Sequence, residues 1–92
     1  MNNRSFAPQF APNITIRVSG KLFQGHLPYI EQLVRSATEC SLWPVLSLMH
    51  LEELDRPALC YLIEGENRDF GIASCPSFVR EWMDRENDHA AA

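Results

Sequence analysis

Lysine is almost missing from this chain. Lys21 is the only one, and arginine supplies the rest of eight basic residues set against twelve acidic ones. The net charge is −4, and no basic stripe interleaved with aromatics occurs, which argues against nucleic acid as a partner. No apolar run approaches the length of a membrane span, and no charged-then-apolar segment opens the chain. The expectation is therefore a soluble, cytoplasmic protein with no direct membrane insertion. Glycine-rich phosphate loops, nucleophile elbows and paired metal-ligand motifs are also absent, so neither a cofactor nor a metal is expected.

Cysteine is sparse as well. Cys40, Cys60 and Cys75 are an odd number at wide spacings, a pattern that fits neither a disulfide framework nor a zinc site. Free thiols in a reducing compartment are the plain reading. His26, His50 and His89 share no metal-ligand spacing and read as loop or surface residues. Glu52 and Glu53 are adjacent, and neighbouring positions on a strand or turn point apart, so they form a solvated acidic rim rather than an acid/base pair.

What is present is an ordinary globular composition: 92 residues, 46% of them hydrophobic. One small domain is expected, of a size that buries a modest fraction of its surface and gains from a partner or a second copy. Residues 1–13 carry prolines and no helical period and read as an N-terminal arm, which Phe6 and Phe10 could pin as an irregular edge strand. The domain proper spans 14–86, and 87–92 read as a disordered tail.

Within the domain the period of the apolar residues alternates between two values. Ile14, Ile16 and Val18 alternate with polar residues, as in a half-buried strand. From Leu27 the apolar positions Leu27, Ile30, Leu33, Val34 and Ala37 recur at three- and four-residue steps, which predicts a helix with Pro28 in its first turn. Val45, Leu46 and Leu48 form a short apolar strand, expected to be covered on both faces. An acidic turn comes next, and Asp55 is placed to cap a second helix whose stripe is Leu59, Leu62 and Ile63 and whose stop is Gly65. Phe70 to Ala73 predicts another strand. A last helix begins near Pro76 and is expected to bury Phe78, Val79, Trp82 and Met83. Trp43, before Pro44, reads as a loop aromatic exposed enough to anchor a partner. The order strand–helix–strand–helix–strand–helix predicts an α/β fold, with a parallel sheet of three to four strands, crossover helices, and Ile16, Val45, Leu46, Leu48 and Ile72 inside.

The run Ser47-Leu-Met-His-Leu-Glu-Glu-Leu54, with Asp55-Arg-Pro-Ala58 directly after it, resembles the STAS domains of anti-sigma-factor antagonists. Their strand reads roughly Asp-Leu-Ser-Gly-Val-x-Phe-Ile, and Asp-Ser-Ala/Ser-Gly opens the helix after it. The lengths agree without a gap, and Leu48, Leu51 and Leu54 agree in type. Cys75-Pro-Ser-Phe-Val-Arg-Glu-Trp-Met83 is similar to the segment after the last core strand of small STAS-like proteins. Ile14-Thr-Ile-Arg-Val-Ser-Gly-Lys-Leu22 matches in pattern only. The departures fall on the switch: the serine that accepts phosphate in the family is Arg56 here, glycine is Ala58, and the strand aspartate is Ser47.

The resemblance implies a small STAS-like fold and a non-enzymatic, bacterial regulatory module that binds another protein. No phosphorylation is implied at Arg56, which has no hydroxyl. The implied contact surface is Glu52, Glu53, Asp55, Arg56 and Leu59. The implied partner is an anti-sigma factor or serine-kinase-like protein, or a subunit of a transporter complex. Asp55 also has a plain reading as a helix cap. Arg56 either balances the acids before it or meets an acidic group on the partner. Two alternatives stand beside this: a small thiol enzyme or redox domain centred on Cys75, which precedes a helix start, and a homodimeric module.

Overall fold

The computed structural model describes residues 12–91, with side chains described through residue 87. The expected arm, with Phe6 and Phe10, therefore lies outside the described residues except for its last two. Among the described residues the protein is a small α/β domain of parallel strands and three α-helices. In chain order these are β1 (Asn13–Arg17), β2 (Gly20–Leu22), α1 (Leu27–Glu39), β3 (Trp43–Ser47), β4 (Leu51–Leu54), α2 (Arg56–Gly65), β5 (Gly71–Ala73) and α3 (Ser77–Ala91). A single 3-10 turn, Gln24–His26, joins β2 to α1.

Among the described residues the strands form a three-stranded sheet in the order β1–β3–β5 and a two-stranded sheet pairing β2 with β4. All three pairings are parallel. The two sheets succeed one another along the same two lines of chain. Val18 N donates to Ser47 O at 2.9 Å and Gly20 N to His50 O at 3.0 Å, so backbone pairing continues across the break. Gly20 makes the bend with a positive φ of 71°, a conformation glycine adopts without steric cost.

The core lies on one face of the sheet. Along β3, Pro44 and Leu46 are buried, as is Leu48 just past its end, while Trp43, Val45 and Ser47 between them are half-buried. This corrects the expectation of a strand covered on both faces. A nearly unbroken apolar run hides its own alternation, and only the packed structure separates Val45 from Leu46. Ile16 and Ile72, in register with Leu46, are half-buried but pack against the core as expected. Trp43 opens β3 and is not a loop residue. A Cβ placed on Gly71 would lie 3.2 Å from Trp43 Nε1, so the indole crosses the neighbouring strand at its glycine.

The helices close the core with part of each predicted stripe, while Leu27, Leu33, Ile63 and Trp82 stay half-buried. Ile30, Val34 and Ala37 are the buried residues of α1, and Ala58, Leu59, Leu62 and Gly65 those of α2. From α3, Val79 and Met83 join the same cluster. Phe78 does not: it is 44% exposed, one position out of step with the buried pair. A helix stripe that includes Val79 and Met83 at four-residue spacing turns Phe78 about 100° away. The expected boundary at 86 also shifts, because α3 runs on to Ala91.

Candidate functional site

The parallel strands β2 and β4 end side by side, and the turn after β2 meets the helix start after β4 at Asp55. Pro57 fixes the first turn of α2, and Asp55 precedes it in extended geometry. One carboxylate oxygen, Oδ1, accepts from Ala58 N at 3.0 Å, the N-cap bond. The other, Oδ2, accepts from Gln24 N at 2.9 Å in the turn after β2. The Asp55 backbone N–H donates to Leu22 O at 3.2 Å, which extends the β2–β4 pairing by one residue. Asp55 thus caps α2 with one bond and ties its start to the end of β2 and to the turn after it with two more. The turn carries a further tie, Phe23 N donating to His26 Nδ1 at 3.0 Å.

The positions around Asp55 separate by burial. Glu52 and Glu53 are both exposed, but they belong to strand β4 rather than to an acidic turn. The turn lies earlier, at residues 49–50, where Met49 is 60% exposed. Alternation within LEEL would put the two glutamates on opposite faces, yet both are open, because Leu51 and Leu54 take the two buried positions. Leu59 is 0% exposed. In this conformation it gives no surface to a partner, and its role is to pack the core.

Arg56 is exposed, and its ion pair is not with the acids that precede it. Arg56 Nη2 lies 2.9 Å from Glu86 Oε1 on α3, an acid supplied by another element. A second tie joins the far ends of the same two helices, where Arg80 grips both oxygens of Glu66 at 3.1 and 2.9 Å. Neither partner acid is legible in the sequence. They lie thirty and fourteen residues from their arginines, beyond any spacing that a single helix or strand enforces. Gln24 is equally invisible there, since it contributes a backbone N–H that any residue type except proline would supply.

No protein-family model matches this chain. No curated protein and no solved structure matches it either.

Among the described residues the cysteines and histidines do not gather into a metal-holding group. Cys40 is exposed, while Cys60 and Cys75 are half-buried. Among the described residues no group of three or more histidine, cysteine or acidic side chains could hold a metal ion. The side chain of His89 lies outside the described residues. No described helix is long and apolar enough to cross a membrane. Burial pushes the Cys75 thiol above its ordinary value of 9.0, and the Arg80 charge beside it only partly opposes that. Burial likewise raises the Tyr61 phenol.

These two shifts carry a stability consequence. A group whose folded pKa exceeds its unfolded value holds its proton more tightly in the native state. Its contribution is complete below the unfolded pKa and is lost as pH rises through the folded one. Unfolding free energy should therefore fall as pH climbs from about 9 upward, where free thiols and then phenols ionise. Denaturant melts from about pH 7 up through the range where thiols and then phenols ionise measure it. Cys75→Ser together with Tyr61→Phe should flatten the alkaline decline, and an unchanged slope would assign that decline to other groups.

Proposed function

We propose that this chain is a STAS-like, non-enzymatic protein-binding module without a phospho-switch, whose docking surface is the start of α2 with the β4 face before it. The observation that carries the reading is the start of α2. It is a helix N-terminus fixed to its neighbouring turn by Asp55, with an exposed arginine at the one position where the STAS pattern has its phosphate-accepting serine. In that pattern a doubly charged phosphate at such a place abolishes docking through charge. Arg56 instead holds a permanent positive charge there, so binding is constitutive with respect to a kinase. The parallel strand–helix order supports the same reading.

Glu52, Glu53, Asp55 and Arg56 form the contact surface, and buried Leu59 is left out of it. The partner class is a regulatory protein such as an anti-sigma factor or serine-kinase-like protein, or a subunit of a transporter complex, met in the cytoplasm of a bacterium. The thiol reading centred on Cys75 has the weaker support, because a nucleophilic cysteine needs a lowered pKa and burial moves this one the other way.

The test is Arg56→Glu. Retention from the native cell extract, with mass spectrometry of the retained material, identifies the partner, and titration of that purified partner gives the affinity. The substitution should weaken the complex about a hundredfold, near 3 kcal/mol, since like charges would then face each other across a desolvated contact. A thermal melt of the same variant should shift little, because the Arg56 side chain is 68% exposed and a pair screened from that side contributes only about 0–1 kcal/mol. Unchanged affinity would remove the α2 start from the interface.

A further inference from the structure

In the three-stranded sheet β1 is an edge: it pairs with β3 on one side, and among the described residues no strand lies on the other. The bonds at its two ends fix which way its backbone faces. Trp43 N donates to Pro12 O at 2.8 Å, and Val18 N to Ser47 O at 2.9 Å. In a parallel ladder alternate residues turn to the same neighbour, so positions 12, 14, 16 and 18 serve β3. The N–H and C=O groups of Asn13, Thr15 and Arg17 therefore point outward. Ile14 and Ile16 share the face of their register partners Pro44 and Leu46, which is the core face. Ile16 is half-buried, but Ile14 is 41% exposed. The core thus runs out to this edge and stops at an open isoleucine.

Sheet edges are ordinarily blunted, since a row of free backbone groups pairs with any chain that offers another. The opposite edge of this sheet, β5, has only three residues, Gly71–Ala73. β2, which continues the line of β1, carries a break in register at Gly20/Lys21 and the one lysine of the chain. β1 has none of these devices. Its five residues hold no proline, no lysine and no register break.

We propose that the β1 edge is a self-association surface, on which a second copy of this chain lays its own β1 antiparallel across a two-fold axis at Thr15 and joins the two sheets into one. What commits the edge to a second copy is that β1 complements itself. Thr15 meets the partner's Thr15 and Asn13 meets the partner's Arg17, all as hydrogen-bonded pairs that use the outward groups. Ile14 then falls opposite the partner's Ile16 in the closer, non-hydrogen-bonded kind of pair, so aliphatic contacts form on the core face and cover Ile14. The one charge on the strand is accommodated. The two Arg17 positions stand about 14 Å apart along the ladder, the rise from position 13 to position 17, which exceeds a Debye length of about 8 Å. A two-fold axis at Arg17 would instead set like charges directly opposite each other. This surface shares no residue with the docking reading and stands independently of it.

Sedimentation equilibrium of the full-length protein over a concentration series should show the average mass rising from one chain to two. Thr15→Lys and Thr15→Glu each set like charges face to face at the axis, and each should raise the dimer dissociation constant at least about tenfold. Mixed in equal amounts, the two variants should recover the lost affinity, because lysine then faces glutamate. Amide exchange of the wild type adds a readout that needs no variant to fold. On dilution through the dissociation range, the amides of Asn13, Thr15 and Arg17 should exchange at least about threefold faster, while those of Ile14 and Ile16, bonded to β3, keep their rates. A monomer at every concentration would overturn the proposal, as would a dimer indifferent to both charge variants or a mixture that stays monomeric. Protection of the outward amides that does not change with dilution would overturn it too, since the edge would then belong to a segment of the same chain.

Discussion

Phe70→Ala should lower the unfolding free energy by about 3–5 kcal/mol, the range for truncating a buried aromatic. A small domain has only about 5–15 kcal/mol in total, so the variant should lose a large share of the parent's stability. Phe70 is the largest of the fully buried side chains. Its ring packs on Tyr61 at a centroid distance of 5.4 Å, and it closes the connection from α2 to β5. That connection cannot readily collapse into the space left behind. The Gly65 carbonyl accepts from Arg68 N, Asp69 N and Phe70 N, and Asn67 N donates to Phe70 O at 2.7 Å, with Asn67 itself held at a φ of 66°. A turn bonded this heavily holds its shape when the ring is removed, so a cavity remains. Chemical denaturation gives the number. A loss under about 1 kcal/mol would show instead that the turn relaxes and fills the void.

Gly65→Ala should cost about 2 kcal/mol or more, although alanine is the better helix former. In an unobstructed helix the exchange gains about 1 kcal/mol. Here a Cβ would overlap the Phe70 ring at Cε2 and Cζ, and overpacking of this kind typically costs about 1–3 kcal/mol. The ring edge has little room to withdraw, with Tyr61 packed beside it and its own backbone tied to Gly65. The two predictions are coupled in a way that tests the cause. In the Phe70→Ala background the obstruction is gone, so adding Gly65→Ala should be neutral or should restore up to about 1 kcal/mol. A double-mutant cycle should therefore show an interaction energy of about 2–3 kcal/mol between these positions. Simple additivity would mean that Gly65 is needed for its backbone conformation and not for the ring.

The same pair shows how sequence and packed structure divide the information. Gly65 reads as a helix stop from its place after Leu62 and Ile63, and α2 does end there. Nothing in the residues between suggests that its missing side chain makes room for the aromatic ring of Phe70. Helix starts are the most legible feature. Pro28 and Asp55-Arg-Pro57 each set a first turn by local geometry alone, since proline fixes φ and a carboxylate caps free N–H groups within three residues.

Strand ends are harder to read. Glu52 and Glu53 suggest an acidic turn because two adjacent glutamates satisfy no alternation, whereas the structure pairs Leu51–Leu54 with β2. A parallel partner far back in the chain makes that segment a strand, and short-range pattern carries no trace of such a partner. At the candidate site the division is similar. Residue identity and helix capping are local matters, so the chain alone specifies an aspartate cap at the α2 start and, after it, an arginine, which has no hydroxyl. Packing was needed to show that Leu59 turns inward, that Asp55 also holds the β2–α1 turn, and that Arg56 faces Glu86. Each depends on which elements come together, and that is settled by burying the whole apolar surface at once rather than by any single segment.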